Sequence, residues 1–271
     1  MRSPPYELQL ESRVPAGPDV YTFRSADGVV SKDAFRTAEL LLANVVEPDA
    51  DGDVLVVDAN YGVVPVLLGT FAGSVTATET SARAAALAER NARENGVDVT
   101  VELLADVSDL DGEFDTAVYA PRPYDPTEVV RERAVRTLEL VDPGGELYLA
   151  ADKSAGAERY RDALADAGSD VERVTKSEGC RVYRASRPGR LDHLPSVESG
   201  TITGDLAGQS LELVTRPGLF SPASIDRGTE LLADTVAAEG RLEEGDRLLD
   251  VACGYGPLGI ALALETGARP T

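Results

Sequence analysis

The chain has 271 residues, with 47 Asp and Glu against 26 Lys and Arg, and a formal net charge of −21. At 43% apolar residues it is too hydrophobic to stay disordered despite that charge, and no stretch approaches the roughly 18 consecutive apolar residues of a membrane span. Two cysteines (Cys180, Cys253) and one histidine (His193) nearly exclude a disulfide scaffold or a Cys/His zinc site, so no metal is expected.

The N-terminus MRSPPYELQL has no apolar core segment, so no secretory signal is expected and the chain reads as cytoplasmic. From residue 33 strands and helices alternate. A helix is predicted over 33–46, with Leu41, Leu42 and Val45 on its apolar side, and a buried strand over 54–57. A short helix follows Gly62, and a second strand covers 75–78. A helix over 81–95 is capped by Ser81 and ended by Gly96. Strands follow at 99–103 and 116–119. The helix over 126–140 has Val129, Val130, Ala134 and Leu138 spaced for one face. Pro143-Gly144-Gly145 then turns the chain into a strand over 146–150. A helix over 156–167 and strands near 171–175 and 180–185 close the unit. The last two are joined by the short link KSEGC and are expected to pair antiparallel at one edge. Alternation of this kind implies an α/β, doubly wound parallel sheet covered on both faces.

Residues 186–210 lack periodicity and read as a linker with a small hairpin formed by 201–203 and 211–215. His193, the one base available to a Ser-His-Asp triad, falls in this loop-like stretch. A helix over 226–238, a strand over 247–250, a glycine-rich turn and the start of another helix follow.

The chain repeats itself. VLVVDANYGVVPVLL (54–68) and RLLDVACGYGPLGIAL (247–262) share an apolar run ending in Asp, then Gly and Pro at fixed distances. Asp58, Gly62 and Pro65 match Asp250, Gly254 and Pro257 at a constant offset of 192 residues. The preceding segments, SKDAFRTAELLLANVV and SIDRGTELLADTVAA, also correspond. A tandem duplication with an incomplete second copy follows, with domains at 1–187 and 216–271 joined by 188–215.

In doubly wound sheets ligands bind beyond the carboxyl ends of the strands. After Asp250, glycines stand at 254, 256 and 259. Gly254 and Gly256 permit close backbone approach, and Gly259 lets the next helix pack on the strand. The pattern is neither the dinucleotide fingerprint nor a phosphate loop, which also disfavours a nicotinamide-dependent oxidoreductase. A carboxylate-bearing nucleoside such as S-adenosylmethionine suits it better than a pyrophosphate. The first copy has Val64 and Leu67 in place of Gly256 and Gly259, so it is expected to keep the fold and lose the cofactor. Glu79 and Asp106 still sit where a nucleotide site would want acids, although a solvated turn or helix-start charge explains them at least as well. Cys253, with no basic neighbour, reads as a small core residue rather than a nucleophile.

RPGLFSPASIDRGTELL followed by RLLDVACGYGPLGIALAL resembles the MTS-type (RsmC-like) small-subunit rRNA guanine-N2 methyltransferases, which are class I S-adenosylmethionine enzymes with two tandem Rossmann-like domains. In that family the N-terminal domain is degenerate and assists folding and RNA recognition, while the C-terminal one binds cofactor and catalyses. YAPRPYD (119–125) occupies the place of the family's Asn-Pro-Pro-Phe motif, with Ala120 for the asparagine. The resemblance implies cofactor contacts at Asp250, Gly254 and Gly256, and at Phe220 and Ser221 near the methionine end. It implies rRNA or the small ribosomal subunit as partner, and a catalytic domain truncated before its own Asn-Pro-Pro-Phe loop, so no catalytic residue is assigned. The even acidic coat points to a halophilic, haloarchaeal-type protein, in which an acidic balance does not argue against RNA. Arg181, Arg184, Arg187 and Arg190, and Arg131, Arg133 and Arg136, are basic stretches open to RNA or to surface ion pairs. The competing reading is a non-catalytic RNA-binding or assembly module on a degenerate methyltransferase fold.

Overall fold

The computed structural model describes residues 6–12, 17–49 and 51–271. They divide into two compact units at Pro195/Ser196.

The first unit opens with a hairpin that the alternation of Tyr6, Leu8 and Leu10 could have signalled. Its strands are β1 (Tyr6–Glu11) and β2 (Val20–Ser25). Then come α1 (Thr37–Val45), β3 (Asp53–Val57), α2 (Val63–Leu68), β4 (Ser74–Glu79), α3 (Ala82–Glu94), β5 (Thr100–Leu103) and β6 (Phe114–Tyr119). α4 (Thr127–Glu139), β7 (Val141–Asp152), α5 (Ala157–Asp166), β8 (Asp170–Ser177) and β9 (Cys180–Ser186) complete it. The sheet order is β5-β4-β3-β6-β7-β9-β8. All pairs are parallel except β7–β9 and β8–β9, so the expected doubly wound sheet with an antiparallel edge is present. Strands such as VLVV are apolar throughout because both faces are covered. α4 and α5 pack Val130, Leu138, Ala163 and Leu164 on one face, and α1 and α2 pack Leu42, Val64 and Leu68 on the other.

Three local differences from the sequence reading have physical causes. The first helix starts at Thr37 rather than residue 33, because Arg36 is extended and its guanidinium is drawn to the carbonyls of Ala120 and Pro121. Pro143-Gly144-Gly145 lies inside β7, not before it. Phe114 pairs with Val141 and Thr116 already with Glu146, so the extra residues form an irregularity in the strand. Gly145 is required there, since a Cβ would meet the Asp115 carbonyl at 2.4 Å. The N-terminal hairpin covers α2 and α3 through Tyr21 and Phe23. Asn91 of α3 continues the open edge of β2, accepting from Arg24 N at 2.7 Å and donating to Arg24 O at 2.9 Å, and Asn95 does the same for Thr22. These amides satisfy backbone groups that would otherwise face apolar packing.

The second unit contains the hairpin β10 (Gly200–Leu206) and β11 (Gln209–Thr215), α6 (Arg227–Glu239), β12 (Arg247–Leu248), α7 (Pro257–Thr266) and β13 (Arg269–Pro270). Ala207 and Gly208, both at positive φ, make a tight turn that extends the hairpin beyond its expected length. β12 pairs parallel with β13, and Leu206, Leu211, Leu213, Ala233, Ala261 and Leu262 form the core. Leu231, Leu249 and Val251 are exposed. Among the described residues no helix is long and apolar enough to cross a membrane.

Candidate functional site

The glycine-rich turn of the second unit runs from β12 into α7. Ala252, Gly254 and Gly256 all have left-handed φ, of 63°, 59° and 82°. Gly256 is the N-cap of α7, and Pro257 fills the first helical position. Asp250 does not point away from this turn. Its Oδ2 accepts from Gly259 N at 3.0 Å, which ties the strand end to the helix start. A Cβ on Gly259 would come within 3.1 Å of that oxygen, so this glycine does serve close packing. A Cβ on Gly254 would meet nothing within 4 Å, and the loop surface there is open.

The loop carrying Phe220 and Ser221 is brought to this turn by Tyr255, a residue the sequence reading passed over. Its hydroxyl donates to Ser221 O at 3.3 Å and Ser224 O at 3.2 Å. Ser221 sits at φ 50° and donates its own hydroxyl to Ser224 O at 2.6 Å. Burial, with the nearby Asp226 charge, pushes the Tyr255 phenol up, which keeps it a donor. Asp250, Gly254, Gly256 and Ser221 therefore share one loop cluster, and Phe220 projects beside it, 76% exposed. Cys253 is exposed rather than a core residue, because the left-handed residues on either side lift the turn away from the core.

The equivalent place in the first unit has a different content. Glu79 and Asp58 are buried at 1% and 4% exposure. Glu79 Oε1 accepts from Thr80 N (2.8 Å) and Ser81 N (2.9 Å), and Oε2 from Asn60 N (2.9 Å). Arg122 pairs with Glu79, lies 3.6 Å from Asp58 and donates to the Thr80 hydroxyl at 2.9 Å. Arg133 donates to Asp58 Oδ2 at 2.6 Å and reaches Asp125 at 3.5 Å. Burial works against the charge on both guanidiniums, but the surrounding carboxylates overcome it and hold them charged, joined at Arg133 by Tyr119. Burial, reinforced by Asp58, raises the Asp125 carboxyl against the pull of Arg133 and Arg122. Arg122 lies two residues after Ala120, in the loop that resembles the base-binding motif. The carbonyls of Ala120 and Pro121 are themselves capped by Arg36, at 3.2 and 2.5 Å. Acids and carbonyls alike are consumed internally, so these residues do not fit a nucleoside cofactor. Val64 is buried inside α2. Asp106 accepts from Ser108 N and Oγ as the cap of a short 3-10 turn.

The arginines singled out for RNA are largely paired within the protein. Arg181 meets Glu158, Arg184 meets Glu146 and Glu172, and Arg136 meets Glu139. Arg133 belongs to the buried cluster, and Arg187 donates to its neighbouring Pro188 carbonyl. Arg190 is exposed and Arg131 half-buried.

Comparison with known proteins gives a consistent result. The family described as methyltransferase small domain matches residues 20–184 and again 210–269, once in each unit. Ribosomal RNA small subunit methyltransferase C of Klebsiella pneumoniae subsp. pneumoniae is 27% identical over 171 residues, covering 63% of this chain and 46% of the relative. The protein of the same name from Marinomonas sp. is 29% identical over 139 residues, covering 49% and 39%. The chain thus spans about half the length of the curated relatives it matches. The solved T. thermophilus 16S rRNA N2 G1207 methyltransferase (RsmC), in complex with AdoMet and guanosine, superposes with a TM-score of 0.74. That match has 26% identity and covers 98% of this chain and 67% of the other.

Proposed function

The chain belongs to the methyltransferase small-domain family, and on that premise we propose that it serves S-adenosylmethionine-dependent methylation of RNA, at the exocyclic N2 of a guanine in small-subunit rRNA. The observation that carries the reading is the second-unit turn. Three left-handed residues, an Asp anchored to the helix start and an open surface over Gly254 occur together there. S-adenosylmethionine, when bound, supplies an electrophilic methyl group on a sulfonium. Asp250, Gly254 and Gly256 would hold it, with Ser221 and Phe220 bordering its methionine end. The chain's own residues orient the cofactor at this open site, and catalysis of this kind works by positioning.

The two copies divide the work in this proposal. The first is a degenerate partner whose cofactor and base positions are filled by Arg122, Arg133 and Arg36. The second carries the strand, turn and helix that would hold the cofactor. We also propose a cytoplasmic, halophilic, haloarchaeal-type protein, supported by the net charge of −21 and by acidic residues spread along the whole chain. The buried arginines favour one further reading, that this chain acts as a non-catalytic RNA-binding or assembly module.

Isothermal calorimetry of the whole chain with S-adenosylmethionine at high KCl separates the two. Binding with one site, lost in Gly256→Val, is expected, because a β-branched residue resists φ 82°. Absence of binding at millimolar cofactor would leave only the non-catalytic reading.

A further inference from the structure

We propose that the turn of the β8–β9 hairpin, together with Lys153 just after β7, is a contact site for phosphates of an RNA backbone. The inference rests on the RNA reading above. In a chain of net charge −21 with only three lysines, a local positive surface needs a cause. Lys32 is consumed by Asp27. The other two, Lys153 and Lys176, line a single cavity of about 330 Å³ together with Ser177, Gly179 and Arg181. Both are exposed, and among the described residues neither has an ion-pair partner.

The fold forces these cations together. Lys176 stands directly opposite Arg181 in the β8–β9 register, and like charges in that position oppose sheet formation. Glu158 relieves Arg181 but not the lysine. Lys153 is tied to the hairpin by its backbone, N–H donating to Gly179 O at 3.0 Å. Glu178, the acid in the cavity lining, is engaged by the Thr37 hydroxyl at 3.2 Å. Asp152, beside Gly179, is satisfied by Ser154. Two free ammonium groups face solvent from one rim, beside the largely buried Arg181 guanidinium that Glu158 holds. That rim lies at the carboxyl end of β7, the end of a doubly wound sheet where ligands bind. A flexible ammonium is a point-charge ligand suited to phosphate oxygens of varied orientation. Most of the arginines named from the sequence are paired within the protein, Arg190 being the exposed exception, whereas both of these lysines are free.

The test is fluorescence anisotropy of the whole chain with a short fluorescein-labelled single-stranded RNA, across about 0.1 to 1 M KCl. Lys153→Gln/Lys176→Gln changes exposed groups only, and circular dichroism checks that the fold persists. Each lysine on a phosphate adds about 0.7 to the slope of log affinity against log salt. The double variant is expected to flatten that slope by about 1.4, with Lys32→Gln unchanged. An unchanged slope in the double variant, with RNA still bound by the native chain, overturns the site and leaves the RNA reading standing. An unchanged slope with new self-association would instead assign Lys176 to guarding the β8 edge, and equally overturns the site. No binding by the native chain at any salt overturns both.

Discussion

Replacing Arg122 by alanine is the most direct probe of how the first unit holds its buried acids. The substitution leaves Glu79, whose side chain is wholly buried, and Asp58, 3% exposed, short of a counter-ion. Breaking a buried ion pair from one side costs about 3–5 kcal/mol, because a charge remains in a poorly solvated place. Here Glu79 keeps three backbone N–H donors, from Asn60, Thr80 and Ser81, and Asp58 keeps Arg133. The loss should therefore lie at the low end, about 3 kcal/mol. For a unit of this size that is a fall of about 6–12 °C in melting temperature. Denaturant unfolding gives the value, and hydrogen exchange of peptides from β3 and β4 restricts the readout to this unit. The deficit should persist at about 1 M KCl, since buried pairs are screened little, and Glu79→Gln added to Arg122→Ala should restore part of it. A change below about 0.5 kcal/mol, the range of ordinary surface substitutions, would refute the claim that this arginine neutralises the pocket.

Two further outcomes follow from buried groups. Glu39 is raised by burial, against the pull of Arg36 and Asn60, and among the described residues its Oε2 has no hydrogen-bond partner. A carboxyl raised on folding adds stability below its unfolded pKa and loses it as pH rises through the folded value. Glu39→Gln should then raise the melting temperature on the alkaline side and change little in acid, so parallel melting curves against pH for the two proteins would contradict this. Burial and the Asp152 charge push the Cys180 thiol up to about 11, whereas Cys253 is exposed. Ellman's reagent should titrate one thiol in the folded protein and the second only on unfolding.

The alternation of strand and helix was legible because buried parallel strands such as VLVV and capped helices such as the one begun by Ser81 carry their signals locally. The antiparallel edge followed from the brevity of KSEGC, whose Glu178 and Gly179 make the tight turn. Pro143-Gly144-Gly145 misled because its local turn signal was outweighed by pairing of the flanking residues with β6. The arginine plug was not legible at all. Arg122 and Arg133 lie 43 and 75 positions from the acids they neutralise, and nothing in their neighbourhood distinguishes them from solvated arginines. Tyr255 was hidden similarly, its partners being carbonyls about 30 residues upstream.

The glycine match between the copies conceals two different reasons for glycine. Gly62 has φ 91°, and a Cβ on it would meet Ala88 Cα at 2.9 Å, so the contact between the turn and α3 alone requires it. Gly254 also has left-handed φ, but the space around it is open. The helices that follow start differently as well. α7 begins at Pro257, whereas α2 begins at Val63, two residues before the position 192 residues upstream of Pro257. Val63 and Val64 have been wound into the helix and buried, which shortens the turn by those two residues. A shorter turn leaves less backbone to face a ligand, and the acids behind it then need another neutralising partner, which Arg122 and Arg133 supply. A valine in place of a glycine, a helix that starts two residues earlier and two arginines beside the acids thus occur together in the first unit.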